Sequence, residues 1–468
     1  MMTMAQYPTK IAPCLCLAGV CMLLMSRALF GLTAEVDVTQ LGAKADGTNA
    51  KVTTAAFRQA FQLAASGTIL VPAGTYLLDN SEGPVIVRDF SGELRFSATA
   101  RLHFTANNQG GLWFLGGNKA RVYGLRAGYS SPPLLRASAE EAIKFDGTTD
   151  TLVTDVNIEN SPAAGVLFFN SIRPKVVNAL IQHTRADGLH FANCQDGEVF
   201  NLQTADTGDD GLAFVNYLSA PDRTGGQATK ITVRNSAARG ISVVGQSWVR
   251  ISDFLIENTS SSGVLCGEDS FWKTRIPTGV QFSSGQISAA GRLEPTVGNT
   301  FGIEVHIGNC TLSDIEVSGS ADRGVSAFGP DHTLSMTNVR VKGNLSGDAF
   351  NVQMNQANIS NARAEDTPGY GFFFGGCSSV FASRLTTIDV SRNNPLHRAI
   401  WFENVGDIKA SDLEIEDNQA TPTGYVLGTY SSSTKAAGYI RGISATISGG
   451  RLLLENNSPR VLISDIHY

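Results

Sequence analysis

Arg185-Ala-Asp-Gly-Leu-His-Phe191 is followed closely by Thr207-Gly-Asp-Asp-Gly-Leu-Ala-Phe214, so Asp-Gly-Leu-x-Phe begins at Asp187 and again at Asp210, 23 residues on. A short pattern that returns at a fixed interval marks one structural unit used twice. The interval extends outward. Glycines open similar runs at Gly165, Gly188, Gly211, Gly240, Gly263, Gly302 and Gly324, with spacings of 23, 23, 29, 23, 39 and 22. After each of the first six, apolar residues alternate, as in Val166/Phe168, Leu189/Phe191, Leu212/Phe214, Ile241/Val243, Val264/Cys266 and Ile303/Val305. Alternation of period two inside a repeat near 23 is the pattern of stacked coils, each built of about three short strands. The predicted class is all-β, a solenoid of parallel strands.

Further marks repeat in the same frame. A second strand recurs around Asp155, Asn178, Asn201, Asp253, Asp314, Asn338, Asn361, Asp412 and Asp465. Asn170, Asn193 and Asn216 hold one place in three successive coils, where stacked amides would hydrogen-bond along the axis. The two long spacings locate insertions, Tyr217 to Lys230 and Gly267 to Thr300, both predicted to be loops and both just after the aspartates. Ahead of the repeats, Ala56, Phe57, Ala60, Phe61 and Ala64 fall at helical spacing within Thr53–Ala65. One amphipathic helix before an all-β body predicts a cap, since an open solenoid end exposes apolar side chains and strand edges. Residues 35–468 therefore read as one domain, with 35–80 as its N-terminal cap region.

The chain has 468 residues, 42% of them hydrophobic and 17% charged, with 48 glycines. That is ample for a large core and excludes a disordered chain. The net charge of −6 comes without a basic run, which argues against nucleic acid as a partner. Lys10, the apolar run Ile11–Met25 and the small-residue end Leu32-Thr33-Ala34 have the order of a secretory signal over residues 1–34. An uncleaved anchor is the alternative. The expectation is a secreted or periplasmic, cell-envelope protein, monomeric and free of the membrane once cleaved. Cys194, Cys266, Cys310 and Cys377 remain after the signal, with no CxxC spacing for zinc. Cys266 falls on an inward strand position.

Strands stack at about 4.8 Å, so Asp187 and Asp210 would hold their carboxyls roughly that far apart. Asp209 is adjacent and Asp206 three residues earlier. Carboxylates so close cannot all ionise, so one pKa should rise and supply a general acid near neutral pH while another activates water. His190, Glu304 and His306 fall on the outward face of the same strands. Tyr217, Phe271 and Trp272 lie in the insertions, where exposed rings suit stacking on sugars. Ordinary turn chemistry explains a lone Asp-Gly equally well.

Val36–Gln40, Gly42-Ala-Lys-Ala-Asp-Gly47, the helix and Val71-Pro-Ala-Gly-Thr-Tyr76 together resemble the opening of the pectate-lyase-like superfamily. That resemblance implies a right-handed parallel β-helix with an N-terminal capping α-helix. RADGLHF and TGDDGLAF in turn resemble the Asn-Thr-Asp and Gly-Asp-Asp motifs of polygalacturonase-type glycoside hydrolases, family twenty-eight. By that resemblance Asp209 is the general acid of an inverting hydrolase, and Asp187 and Asp210 hold the attacking water. The family's Gly-His-Gly falls on Ala238-Arg239-Gly240, and its Arg-Ile-Lys on Leu265-Cys266-Gly267. Its histidine is thus an arginine here, His190 is the histidine nearest to replace it, and Lys273 and Arg275 are the nearest cations for a substrate carboxylate.

Three readings follow. The first is a glycosidase on a polysaccharide or oligosaccharide, with no cofactor, catalysed by Asp187, Asp209 and Asp210; His190, Arg239, Lys273, Arg275, Tyr217 and Trp272 would bind substrate. The second is a lyase or epimerase on uronate polymers, with Ca²⁺ held by Asp206, Asp209 and Asp210 and Arg239 as base or carboxylate clamp. The third is a carbohydrate-binding β-helix without catalysis.

Overall fold

A Cβ on Gly188 would lie 2.6 Å from the carbonyl oxygen of Gly211 and 2.5 Å from Thr204 Cγ2; one on Gly211 would lie 2.8 Å from the carbonyl of Gly240. The glycine column seen in the sequence is therefore a line of close approach, where each coil rests on the next with no room for a side chain. The computed structural model describes residues 34–293, 298–391, 397–418, 425–432, 436–447, 452–458 and 460–467. The expected signal segment, up to Thr33, lies outside the described residues.

After each glycine runs a four-residue strand. Val166–Phe169, Leu189–Ala192, Leu212–Val215, Ile241–Val244, Val264–Gly267 and Ile303–His306 pair in parallel, one coil on the next, without a slip in register. A longer strand completes each coil: Lys175–Thr184, Gly197–Thr207, Gly226–Ser236, Val249–Thr259, Val280–Ser288. These bend at one recurrent place, where Asp155, Asn178, Asn201, Lys230 and Asp253 all have φ between 53° and 62°. Asn and Asp tolerate this left-handed conformation better than other side chains. The repeating Asx marks of the sequence are thus corners within strands. At these corners the amides do form a ladder, Asn178 Nδ2 donating to Asp155 (2.9 Å) and Asn201 Nδ2 to Asn178 (2.9 Å).

The expected ladder at Asn170, Asn193 and Asn216 forms only in part. Asn193 Nδ2 reaches Asn170 Oδ1 at 3.2 Å, but Asn216 turns away and donates to the carbonyl of Arg223 at 2.6 Å. The insertion that begins at Tyr217 offers a stronger, closer acceptor. That insertion is also shorter than expected, since strand structure resumes at Gly226; in the second, Val280–Ser288 is the regular long strand.

Inside the solenoid, the phenylalanines stack. Phe114, Phe145, Phe168, Phe191 and Phe214 lie ring on ring with centroids 4.7–5.5 Å apart, all buried. Cys266 lies in the core, as do Cys194, Cys310 and Cys377, and all four are free thiols. The helix Ala50–Leu63 closes the N-terminal end. Its buried face, including Ala56, Phe57, Ala60 and Phe61, sets Phe57 edge-on to Tyr76 at 5.8 Å and Phe61 edge-on to Phe90 at 5.4 Å. No helix among the described residues is long and apolar enough to cross a membrane.

Candidate active site

Because the three strands Leu189–Ala192, Leu212–Val215 and Ile241–Val244 are in strict register, the residue two before each strand's first core position forms a column. It reads Asp187, Asp210, Arg239. The outward residue of each strand forms a second column, His190, Ala213, Ser242. Between them is a half-open pocket of 180 Å³ lined by Asp187, His190, Asp209, Asp210, Arg239 and Ser242, and rimmed by Arg136, Tyr217 and Trp272.

One oxygen from each of Asp187, Asp209 and Asp210 lies within 4.8 Å of the others. Each carboxylate has its own cation. Asp187 Oδ2 meets His190 Nδ1 at 2.9 Å, Asp209 Oδ2 accepts from Arg136 Nη1 at 2.8 Å, and Asp210 Oδ1 lies 3.2 Å from Arg239 Nε. The backbone joins in, Asp210 N donating to Asp187 Oδ1 (3.1 Å) and Arg239 N to Asp210 Oδ1 (3.0 Å). Ser242 Oγ donates to Asp210 Oδ2 at 2.5 Å. His190 Nε2, a donor in the pocket, is buried without a hydrogen-bond partner among the described residues. Such orphans are costly in a finished core and ordinary in a site that awaits a ligand.

These surroundings separate the three acids. Burial drives Asp210 upward, and Asp209 and Asp187 add to it against the pull of Arg239, leaving it at about 7. Asp209 is also raised, by burial and then by the Asp187 charge, with Arg136 opposing. For Asp187 burial works upward too, but the His190 charge and hydrogen bond outweigh it and hold the group below the usual carboxylate value. His190 is correspondingly raised, its desolvation overcome by Asp187. Asp210 holds Arg239 above even the ordinary arginine value, so the guanidinium stays charged. Asp209 is the most accessible of the acids, its side chain 28% exposed against 10% for Asp187 and 6% for Asp210.

Several expected site residues are elsewhere. Asp206 is not in the cluster: it occupies a left-handed corner (φ 53°), accepts from Asn235 Nδ2 at 3.0 Å and faces His183. The corner turns its side chain outward, so the Ca²⁺ set Asp206, Asp209, Asp210 does not assemble. Lys273 is exposed and outside the pocket lining, and Arg275 spends its guanidinium on the carbonyl of Ala220 (2.7 Å), tying the two insertions together. The same tie sets Tyr217 opposite Thr274 in an antiparallel bridge, which brings Tyr217 and Trp272 to the rim. Burial and the nearby Asp187 and Asp209 push the Tyr217 phenol up to about 12. Glu304 accepts from Ser262 and Asn299, His306 stacks on Phe328 at 6.1 Å, and neither lines the pocket.

Of the side chains that contact the three aspartates, Ser242 and Arg136 are not among the residues the sequence singles out. Ser242 shares the register place of His190 and was legible from the repeat. Arg136 gave no signal, since it arrives from a loop 73 residues before Asp209.

No protein-family model and no curated sequence matches the chain. Among solved structures, a mutant tailspike protein of E. coli bacteriophage HK620, in complex with a pentasaccharide, matches with TM-score 0.59 at 10% identity, over 92% of this chain and 78% of that one. The catalytic unit of a GH87 alpha-1,3-glucanase from Streptomyces thermodiastaticus gives 0.46 at 17% identity, over 92% and 68%. An exopolygalacturonase from Thermotoga maritima gives 0.47 at 12% identity, over 70% and 91%. The tailspike likeness, at so low an identity, shows the fold alone: a right-handed parallel β-helix.

Proposed function

We propose that this protein hydrolyses glycosidic bonds of a polysaccharide or oligosaccharide, with Asp209 as general acid and Asp187 with Asp210 positioning the attacking water. The observation that carries the reading is the convergence of three carboxyls within 4.8 Å in one pocket, one depressed and two raised. Groups whose environments push their pKa values apart are suited to opposite proton-transfer roles. Asp209 suits the acid because it is raised and best exposed. Two opposed carboxyls with water between them need about 6.5–9.5 Å. This cluster is tighter than that, so its spacing does not support inversion, and the anomer released first, followed by proton NMR, decides between inversion and retention. The HK620 tailspike binds a pentasaccharide, which accords with a saccharide-binding solenoid. A polymeric substrate also accords with the signal-like N-terminus and a place outside the cytoplasm.

The calcium-dependent lyase or epimerase reading fits less well. Ca²⁺ takes six to eight oxygen ligands, whereas each of these three aspartates already faces a cationic partner, His190, Arg136 or Arg239. Arg239, held protonated, is no base. Three carboxylates already paired to cations support this reading less well than they support hydrolysis.

Product analysis on a panel of polysaccharides tests the proposal. New reducing ends, unaffected by chelator, are expected; unsaturated products absorbing in the near ultraviolet would mean a lyase, and no products at all a binding protein. The pH profile follows from the acids. A general acid acts while protonated, so kcat/KM should fall as pH rises through the raised pKa of Asp209. Asp187 must be ionised, and its depressed pKa carries the acid limb below the ordinary value of about 3.9. Arg136 pulls Asp209 down, so Arg136→Gln should move the alkaline limb to higher pH; an unmoved limb would separate Asp209 from the acid role.

A further inference from the structure

Of the large apolar side chains that the described residues leave exposed, four of the five most exposed are Leu134 (85%), Leu135 (81%), Phe271 (81%) and Trp272 (63%). With Leu218 (56%) and Ile276 (49%) they belong to three loops around the acid pocket. Their placement is fixed by polar contacts. Pro133 O accepts from Arg185 Nη2 at 2.6 Å and Arg136 pairs with Asp209, so Leu134-Leu135 is a two-residue span held between two anchored residues. In the other two loops, Leu218 N donates to Lys273 O at 2.8 Å, which ties Leu218 to the segment that carries Phe271 and Trp272. Arg136 and Trp272 both line the pocket, so Leu135 and Phe271 are each one residue along the chain from its lining.

A sugar ring stacks well on an indole or phenyl face. It offers little to leucine or isoleucine, which lose exposure favourably only against apolar surface. Four of these six side chains are aliphatic. Exposed apolar residues gathered at one place mark a surface that some partner covers, and this one has the saccharide pocket at its centre. We propose that the substrate is amphipathic: a saccharide carrying an acyl or alkyl substituent, whose sugar enters the acid pocket while the chain lies on the leucine flank. The proposal rests on the saccharide-binding reading of the pocket and adds the class of substrate.

The test uses the full chain carrying Asp209→Asn, to prevent turnover, titrated with n-octyl glycosides and the matching methyl glycosides below the micellar range, with tryptophan fluorescence as the readout. Octyl compounds should bind at least tenfold more tightly than methyl ones, and Leu134→Ser/Leu135→Ser should remove most of that advantage. Both side chains are over 80% exposed, so the double variant should fold as the parent does. An equal octyl advantage in both chains, or none in either, overturns the proposal. So does sedimentation that shows a dimer abolished by the double variant, which would put a second copy on the rim. Flotation of the parent chain with sugar-free phosphatidylcholine–phosphatidylglycerol vesicles would overturn it in favour of a membrane surface. Octyl binding in a protein that yields no products from any polysaccharide would uphold this inference and sink hydrolysis; hydrolysis with no octyl advantage would do the reverse.

Discussion

Asp209→Asn is expected to lower kcat on a responsive polysaccharide by about 10²–10⁴-fold, the usual contribution of a positioned general acid. The change is nearly isosteric. Its amide oxygen can still accept from Arg136, which donates to Asp209 Oδ2 at 2.8 Å, so the loop that carries Arg136 keeps its anchor. What disappears is the proton that would pass to the leaving-group oxygen. KM should change little, and the far-ultraviolet circular dichroism and thermal midpoint should match the parent. Asp206→Asn is the natural control. Three residues away, it loses only a corner contact to Asn235 and a long approach to His183, and it should retain parental kcat. Full turnover by Asp209→Asn would end the general-acid assignment; equal losses in both variants would show that the effect is structural. Asp187→Asn is less clean, because it also strips His190 of the partner that holds its ring.

The second large effect is on stability. Phe191→Ala should cost about 3–5 kcal/mol, the range for deleting a buried aromatic ring. Phe191 is fully buried within the internal stack, 5.5 Å from Phe168 and 4.9 Å from Phe214. The neighbouring coils cannot close the gap, since their spacing is set by backbone pairing on every side of the solenoid. A solenoid coil touches only its neighbours, so the loss should centre on the coils of Asp187 and Asp210. His190 is carried on the same four-residue strand as Phe191, pointing the other way. Activity should therefore fail at lower urea than the global transition. Urea unfolding followed by circular dichroism, with activity at matched concentrations, measures both. A cost under about 1 kcal/mol, the scale of losing a single methylene from a core, would mean that the stack is not what holds these coils.

The strand pairing, the glycine column and the aspartate pair all follow from one property. In a parallel solenoid, residues one repeat apart in sequence are neighbours in space, so a spacing of 23 is itself a contact prediction. That is why Asp187 beside Asp210, and the phenylalanine stack from Phe145 to Phe214, are legible in the chain. The same rule misled where the repeat is broken by corners. Asp206 lies as near to Asp209 in sequence as His190 does to Asp187, yet a left-handed residue turns its carboxylate out of the pocket.

Sequence alone, then, determined the all-β solenoid, its N-terminal helical cap and the two coils that bear the acids, because periodicity encodes local pairing. Tertiary structure decided everything that reaches the pocket from outside the repeat. Arg136 over Asp209, the tie between the insertions that brings up Tyr217 and Trp272, and the removal of Lys273 and Arg275 from the site depend on loops whose paths have no period. The proton inventory depends on them as well, since burial and three neighbouring cations, rather than the aspartates' identity, set Asp187 low and Asp209 and Asp210 high.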